Sequence, residues 1–214
     1  VKQVFLAKPS KNGNPLGLPF FYCLAMHIIY LHGFNSSPQS LKAQETARWL
    51  QQHAPDITLH CPQLSSHPAQ AIAQAEALLL SLPADTALIG SSLGGYYATH
   101  LAEKHGRKAA LINPAVQPYQ DLLRYLGPQH NPYSGENYQL GDEDMQALLA
   151  MRQAEIRQGK YWLWLGTADE VLDWRLAARH YAGQRQSVFN GDDHRLARWP
   201  AGLPALFNWL CQVD

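Results

Sequence analysis

The sequence predicts an α/β fold: a mostly parallel β-sheet with helices packed on both of its faces. Three observations predict it. Short apolar runs alternate along the chain with segments whose apolar residues recur at helical spacing. The connections between them are short and marked by Gly, Pro and Ser. One apolar run, "ALIGSSLGGYYAT", passes into a helix through a glycine-rich turn. Strands separated in this way pair in parallel, because the helix supplies the crossover that a parallel pair needs.

The elements follow in order. "HIIYLHG" (27–33) is an apolar run ending in glycine and reads as a buried strand. Ser37-Pro38 reads as an N-cap with proline at the first helical position. Leu41, Ala47, Trp49 and Leu50 give that helix its apolar side. "ITLHCPQL" (57–64) is the next strand, broken by Pro62. Pro68 opens a helix on which Ile72, Ala75, Leu79 and Leu82 recur. "TALIGS" (86–91) is a strand and "LGGYYATHLAEKHG" (93–106) a helix stopped by Gly106. "KAALINP" (108–114), "KYWLWLG" (160–166) and "SVFNGD" (187–192) are strands, and "LPALFNWLCQ" (203–212) is the closing helix.

Residues 114–159 break this rhythm. They hold no strand candidate, only a helical piece, "YQDLLRYLG", a turn-rich loop, and a second helical piece, "DEDMQALLAMRQAEIRQ". An insertion there is expected to form a short helical lid. Residues 1–25 are punctuated by Pro9, Gly13, Pro15, Gly17 and Pro19 and are expected to be an extension outside the core. Residues 26–214 show no internal repeat or linker and are expected to form one domain.

Composition narrows the function. Of 214 residues, 46% are hydrophobic and 16% charged, a globular profile with enough apolar surface for a sizeable core. The formal net charge is zero, which leaves no basic excess to neutralise nucleic-acid phosphates. No apolar run approaches the roughly 18 residues of a membrane span. Cys23, Cys61 and Cys211 are widely spaced, with no C-x-x-C, and fit reduced thiols in a cytoplasmic protein. His53, His60, Cys61 and His67 lie close in sequence but lack metal-ligand spacing, so structural roles are expected and no metal. Trp162, Trp164, Trp199 and Trp209 are expected to pack.

Gly90-Ser91-Ser92-Leu93-Gly94 is a G-x-S-x-G motif, and only Ser92 is its central serine. It follows a predicted strand and opens a predicted helix, the context in which a nucleophilic serine sits exposed on a sharp turn. A phosphate-binding loop fits less well, since no G-K-[ST] follows and G-x-G-x-x-G does not match "GSSLGG". Serine is a weak nucleophile and needs a base and an orienting acid. On strand–turn–helix scaffolds of this kind the chain order is serine, acid, histidine. Of the ten histidines, only His180 and His194 follow "YWLWLG". His180 lies in a helix, whereas His194 follows the last strand in a loop, where catalytic groups of open α/β sheets collect. "WLGTADEVLD" offers Asp169 as the acid, with Glu170 and Asp173 as competitors. An oxyanion hole needs two backbone N–H groups. Leu93 is one expected donor and Phe34, in "LHGFN" after the first strand, the other. His32 is expected to buttress that loop.

"YLHGFNSSP", "GSSLGGYYAT", "NPAVQPY", "NPYSGENY" and "DEVLDWR" resemble the small bacterial YqiA-type esterases of the α/β-hydrolase superfamily. The likeness runs from about Ile28 to Cys211. It implies a compact α/β-hydrolase fold and serine esterase activity, with the nucleophile at Ser92, the acid at Asp169 and the base at His194. The small-molecule substrate implied is a carboxylic ester, expected to carry a short acyl chain, and no cofactor is required. An acyl-CoA thioesterase with the same triad and a non-catalytic binding scaffold are the other readings.

Overall fold

The computed structural model of the chain describes residues 26–212. The expected extension over 1–25, with Cys23, lies outside them. Six strands form one wholly parallel sheet: β1 (His27–Leu31), β2 (Thr58–His60), β3 (Ala87–Ser91), β4 (Lys108–Ile112), β7 (Lys160–Gly166) and β8 (Arg185–Phe189). Their order across the sheet is β2-β1-β3-β4-β7-β8. The sheet is entered at β1, with β2 added on one side and β3 then on the other. The carboxyl ends of β1 and β3, paired at Leu31 and Gly90, therefore mark a topological switch point. Ligands of open α/β sheets bind outside such a point.

Strand alternation divides the core into two layers. Ile29, Leu31, Leu88, Leu111, Leu163 and Leu165 face α2 (Pro68–Leu80), α3 (Leu93–His105), α5 (Asp142–Ala150) and α6 (Trp174–His180). Their neighbours Ile28, Tyr30, Ile89, Ile112, Trp162 and Trp164 face α1 (Leu41–His53) and α7 (Trp199–Leu210). The tryptophans pack as expected. Trp199 lies edge-on to Trp164 at 5.6 Å, and Trp209 edge-on to Trp162 at 5.8 Å. Among the described residues no helix is long and apolar enough to cross a membrane.

Local chemistry moves several boundaries. Helix α1 begins at Leu41 after Ser40, not at Pro38. The Ser37 Oγ accepts from the Gln39 N–H at 2.9 Å and its carbonyl from the Ser40 N–H at 3.0 Å, so Ser37-Pro38 closes a turn ahead of the helix. Helix α7 starts at Trp199, four residues before Leu203, with Pro200 in its first turn.

The insertion differs most. Helix α4 (Pro118–Asp121) and a 3-10 turn (Leu122–Tyr125) replace the first helical piece, and α5 ends at Ala150. Between them lie two strands where none is expected, β5 (Gly127–His130) and β6 (Asn137–Leu140), paired as an antiparallel hairpin. "GPQH" carries no apolar alternation, and "NYQL" alternates over only four residues, too short a run to betray a strand. Backbone bonds at the tip hold them instead: the Asn131 N–H donates to Glu136 O, and the Gly135 N–H to Asn131 O, both at 2.9 Å.

Candidate active site

Strand β3 hands Ser92 to the N-terminus of α3 in a backbone conformation of φ 54° and ψ −120°. That left-handed region is sparsely populated by side-chain-bearing residues and persists only where the surroundings hold it. Here the Ser92 N–H donates to Ile112 O at 3.0 Å, and the Ser92 carbonyl accepts from the N–H groups of Gly95 and Ala115 at 2.9 and 3.1 Å. The motif glycines are compelled by space. A Cβ on Gly90 would stand 2.4 Å from Gly94 O, and one on Gly94 1.9 Å from Leu31 O.

The loop after β1 passes over this turn. A Cβ on Gly33 would lie 3.3 Å from Ser92 Cβ and 3.8 Å from Ser92 Oγ. His32 anchors the loop from below. Its buried ring accepts at Nε2 from the Leu64 N–H at 3.1 Å, which leaves Nδ1 as donor to Gly33 O at 3.1 Å. Burial pushes its pKa down.

At the ends of β7 and β8, Asp169 Oδ2 meets His194 Nδ1 at 2.8 Å, with the Asp169 side chain 1% exposed. Asp169 Oδ1 accepts from the N–H groups of Val171 and Leu172 at 2.8 and 2.9 Å. Both carboxylate oxygens are thus occupied, and the imidazole presents Nε2 as its other nitrogen. The two competing acids have other partners. Glu170 accepts from the His194 backbone N–H at 3.1 Å, and Asp173 caps α6 by accepting from the Arg175 N–H at 3.0 Å. His180 ends α6 with its ring edge-on to Tyr181.

Ser92, His194, Phe34 and Leu93 line one cleft of about 550 Å³, within the usual range for small-molecule sites. The insertion supplies much of its wall through Pro118, Leu122, Arg124, Tyr125 and Tyr133. The cleft also holds Lys42 and Arg195 against one carboxyl, Asp121, whose pKa burial pushes up. The histidines outside the cleft go to separate partners: His60 to His27 at 2.9 Å, His67 to Asp144 at 3.0 Å, His53 to the Trp49 ring and carbonyl. Among the described residues no group of three metal-ligating side chains forms.

Two further residues hold the loop that carries His194. Asn113, at φ 40°, accepts from the Gly166 N–H at 2.8 Å and donates through Nδ2 to the carbonyls of Asp193 and His194, both at 3.2 Å. Lys42 Nζ donates to the carbonyls of His194 and Arg195, both at 3.2 Å, and burial pushes its pKa down against the pull of Asp169. In the sequence Asn113 shows only as the first residue of "NPAVQPY". Lys42 sits on an ordinary amphipathic helix and gave no signal.

Residues 27–211 match a family described as an uncharacterised protein family, UPF0227. The chain belongs to the UPF0227 family. The match agrees with the YqiA-type resemblance of the motifs and with its limits along the chain. A UPF0227 protein of Shewanella woodyi (strain ATCC 51908 / MS32) is 32% identical over 102 residues, covering 45% of this chain and 55% of that protein. The chain thus spans about half the length of that relative. Three solved structures are similar at low identity. One is a protein of Agrobacterium vitis S4 named as a candidate hydrolase (TM-score 0.70, 18% identical, 88% of each chain). Another is the esterase domain of a Rhodothermus marinus protein (0.65, 18%, 91% of this chain and 90% of that one). The third is mouse alpha/beta hydrolase domain-containing protein 10 (0.64, 16%, 86% and 90%). This UPF0227 chain has the α/β-hydrolase fold.

Proposed function

We propose that the chain is a serine esterase that hydrolyses carboxylic esters of short acyl chains through Ser92, His194 and Asp169. The observation that carries this reading is the convergence of a strained, glycine-flanked serine and a carboxylate-held imidazole on one cleft. Ser92 Oγ attacks the ester carbonyl carbon while His194 Nε2 takes its proton. Asp169 keeps the other ring proton on Nδ1 and stabilises the imidazolium. The carbonyl oxygen gains the electron pair of its π bond, and the N–H groups of Phe34 and Leu93 receive that charge. Collapse breaks the bond to the alcohol, which leaves with the proton from His194. Water, deprotonated by His194, then releases the acid from the acyl-enzyme. The chemistry asks for no metal or organic cofactor. The name of the Rhodothermus esterase domain agrees with the reading.

Acyl-CoA thioester hydrolysis by the same triad is the second reading. Lys42, Arg124 and Arg195 favour it, because three cations against one carboxyl in the cleft suit a leaving group that carries phosphates.

A fluorophosphonate probe tests the common chemistry. It is expected to label Ser92, and Ser92→Ala is expected to abolish labelling and lower kcat by about 10⁶. An active enzyme that resists the probe, or labels at Ser91, rejects the assignment. Matched acyl esters and CoA thioesters then separate the two substrate classes. Absence of both activities and of labelling favours a binding scaffold.

A further inference from the structure

The β5–β6 hairpin reaches the loop that carries Phe34, and it does so through one residue. Asn35 has a left-handed backbone (φ 46°) and follows Phe34 directly, while Gly33 on the other side of Phe34 has no side chain to fix its orientation. The Asn35 amide is held at both ends. Its Oδ1 accepts from the Tyr138 hydroxyl at 2.8 Å, and its Nδ2 donates to Gln129 Oε1 at 3.2 Å. Gln129 and Tyr138 are direct cross-strand partners in the hairpin. Gln129 Nε2 in turn donates to the Tyr125 carbonyl at 2.6 Å, and the Tyr125 ring lies 5.6 Å from the ring of Phe34. One residue further on, buried Asn131 donates to Ser36 O at 3.1 Å. The loop is therefore gripped from below by His32 and from above by the hairpin.

A two-stranded hairpin with four-residue strands is marginal by itself. This one is tied down at its far side, where Tyr138 meets the ring of His67 edge-on at 5.7 Å and His67 bonds Asp144. The same insertion presents Tyr125 and Tyr133 to the cleft. The wall that touches substrate and the brace on the β1 loop are thus one piece.

We propose that Asn35 is a positioning residue which, clamped between Gln129 and Tyr138, aims the Phe34 N–H at the developing oxyanion, so that the insertion sets the oxyanion hole as well as covering the cleft. The proposal rests on the serine-hydrolase reading above. Its physical basis is that an oxyanion donor works by being fixed in advance, and small misplacements of such groups are costly in rate.

The test uses the full chain, a p-nitrophenyl ester and an alkyl boronic acid, whose boron adds to Ser92 Oγ and places a tetrahedral oxygen in the hole. Asn35→Gly keeps the left-handed backbone but removes the clamp. Tyr138→Phe removes one hydroxyl and keeps the ring on His67. Each is expected to lower kcat about 10- to 100-fold, with KM within about two-fold, and to raise the boronate Ki by the factor lost in kcat/KM. A merely structural role would lower the melting temperature without that parallel. Gln129→Ala cuts the clamp from the opposite strand and gives the same readouts if Tyr138→Phe does not fold. Wild-type kcat and Ki in the variants, or a rise in KM alone, overturn the proposal. If wild-type protein labels at Ser92 and the variants match it, only the brace falls. If wild-type protein is neither labelled nor bound by the boronate, both readings fall.

Discussion

The Asn113 side chain donates to the His194 carbonyl at 3.2 Å while accepting from the Gly166 N–H at 2.8 Å. One amide, 3% exposed, thereby ties the ends of β4 and β7 to the loop after β8. Asp169 fixes the ring of His194, and Asn113 fixes the backbone from which the ring hangs. Asn113→Asp keeps the size and the tolerance of φ 40° but turns a carboxylate toward two carbonyls. An unsatisfied buried group costs about 1–3 kcal/mol, so kcat is expected to fall about 10- to 100-fold with KM little changed. Steady-state kinetics on one ester checks it. Unchanged kcat would show that the His194 loop holds itself.

Of the three acids in the run, Asp169 is the one that meets the His194 ring, at 2.8 Å. Asp169→Asn is expected to preserve the fold and cost about 10⁴ in kcat through the wrong imidazole tautomer. Asp173→Asn keeps an Oδ1 that accepts from the Arg175 N–H and so keeps the cap of α6, and it is expected to leave stability and activity near normal. Glu170→Gln keeps an acceptor for the His194 N–H and is expected to act mildly. A larger rate loss at Glu170 or Asp173 than at Asp169 would reassign the triad.

Gly94 is set by distance. Alanine there puts Cβ 1.9 Å from the Leu31 carbonyl oxygen and 2.6 Å from that of His32, both backbone atoms that cannot turn aside. Gly94→Ala is expected to destabilise by about 1–3 kcal/mol or more and to displace the β1 loop, so that activity falls beyond what lost stability explains. Thermal melts paired with boronate affinity measure the two effects separately.

Burial also predicts how the fold meets acid. The lowered pKa of His32 means that the unfolded chain binds this proton more readily than the folded one. Above about pH 6.5 both states hold the ring neutral and no stability is lost. As pH falls through that value the unfolded state takes the proton first, and stability declines toward the folded pKa. Burial acts in the same direction at His100 and His180. The melting temperature is expected to be flat from pH 8 to 7 and to drop between pH 6.5 and 5. His32→Gln, whatever its starting stability, is expected to shallow that drop. An undiminished slope in the variant would assign the acid sensitivity elsewhere.

Substrate length is the fifth expectation. The insertion's wall is brief, and Leu41, Tyr125, Tyr133 and Val171, all lining the cleft, remain exposed. Each methylene fully buried contributes about 0.8 kcal/mol, so kcat/KM on p-nitrophenyl esters is expected to rise only while the chain finds cover, peak at short acyl groups, and fall beyond. Rates from acetyl to palmitoyl, taken below micelle formation, decide it. A steady climb to palmitoyl would put the thioesterase reading first.

The alternation of apolar runs with helical spacings determined the parallel sheet by itself, since period and crossover length are local properties of the chain. Ser92 was legible because its glycines cluster in sequence around it, although only Gly90 answers to near neighbours, Gly94 and Gly95, while Gly94 is crowded by Leu31 and His32 and Gly95 by Pro114. His194 and Asp169 were legible by chain order, because strand ends on this scaffold converge on one edge. Chain order alone left Glu170 and Asp173 as competitors to Asp169, and the course of the loop after β7 decides that Asp169 is the one that meets the imidazole. The hairpin of the insertion was invisible, because its four-residue strands are too short to show a period and are held by cross-strand bonds and by Asn35, distant in sequence. Asn113 and Lys42 likewise act through the backbone carbonyls of a loop some 80 and 150 residues away. Hydrogen bonds to main-chain atoms leave no pattern in residue type, and only tertiary packing brings such donors to such acceptors.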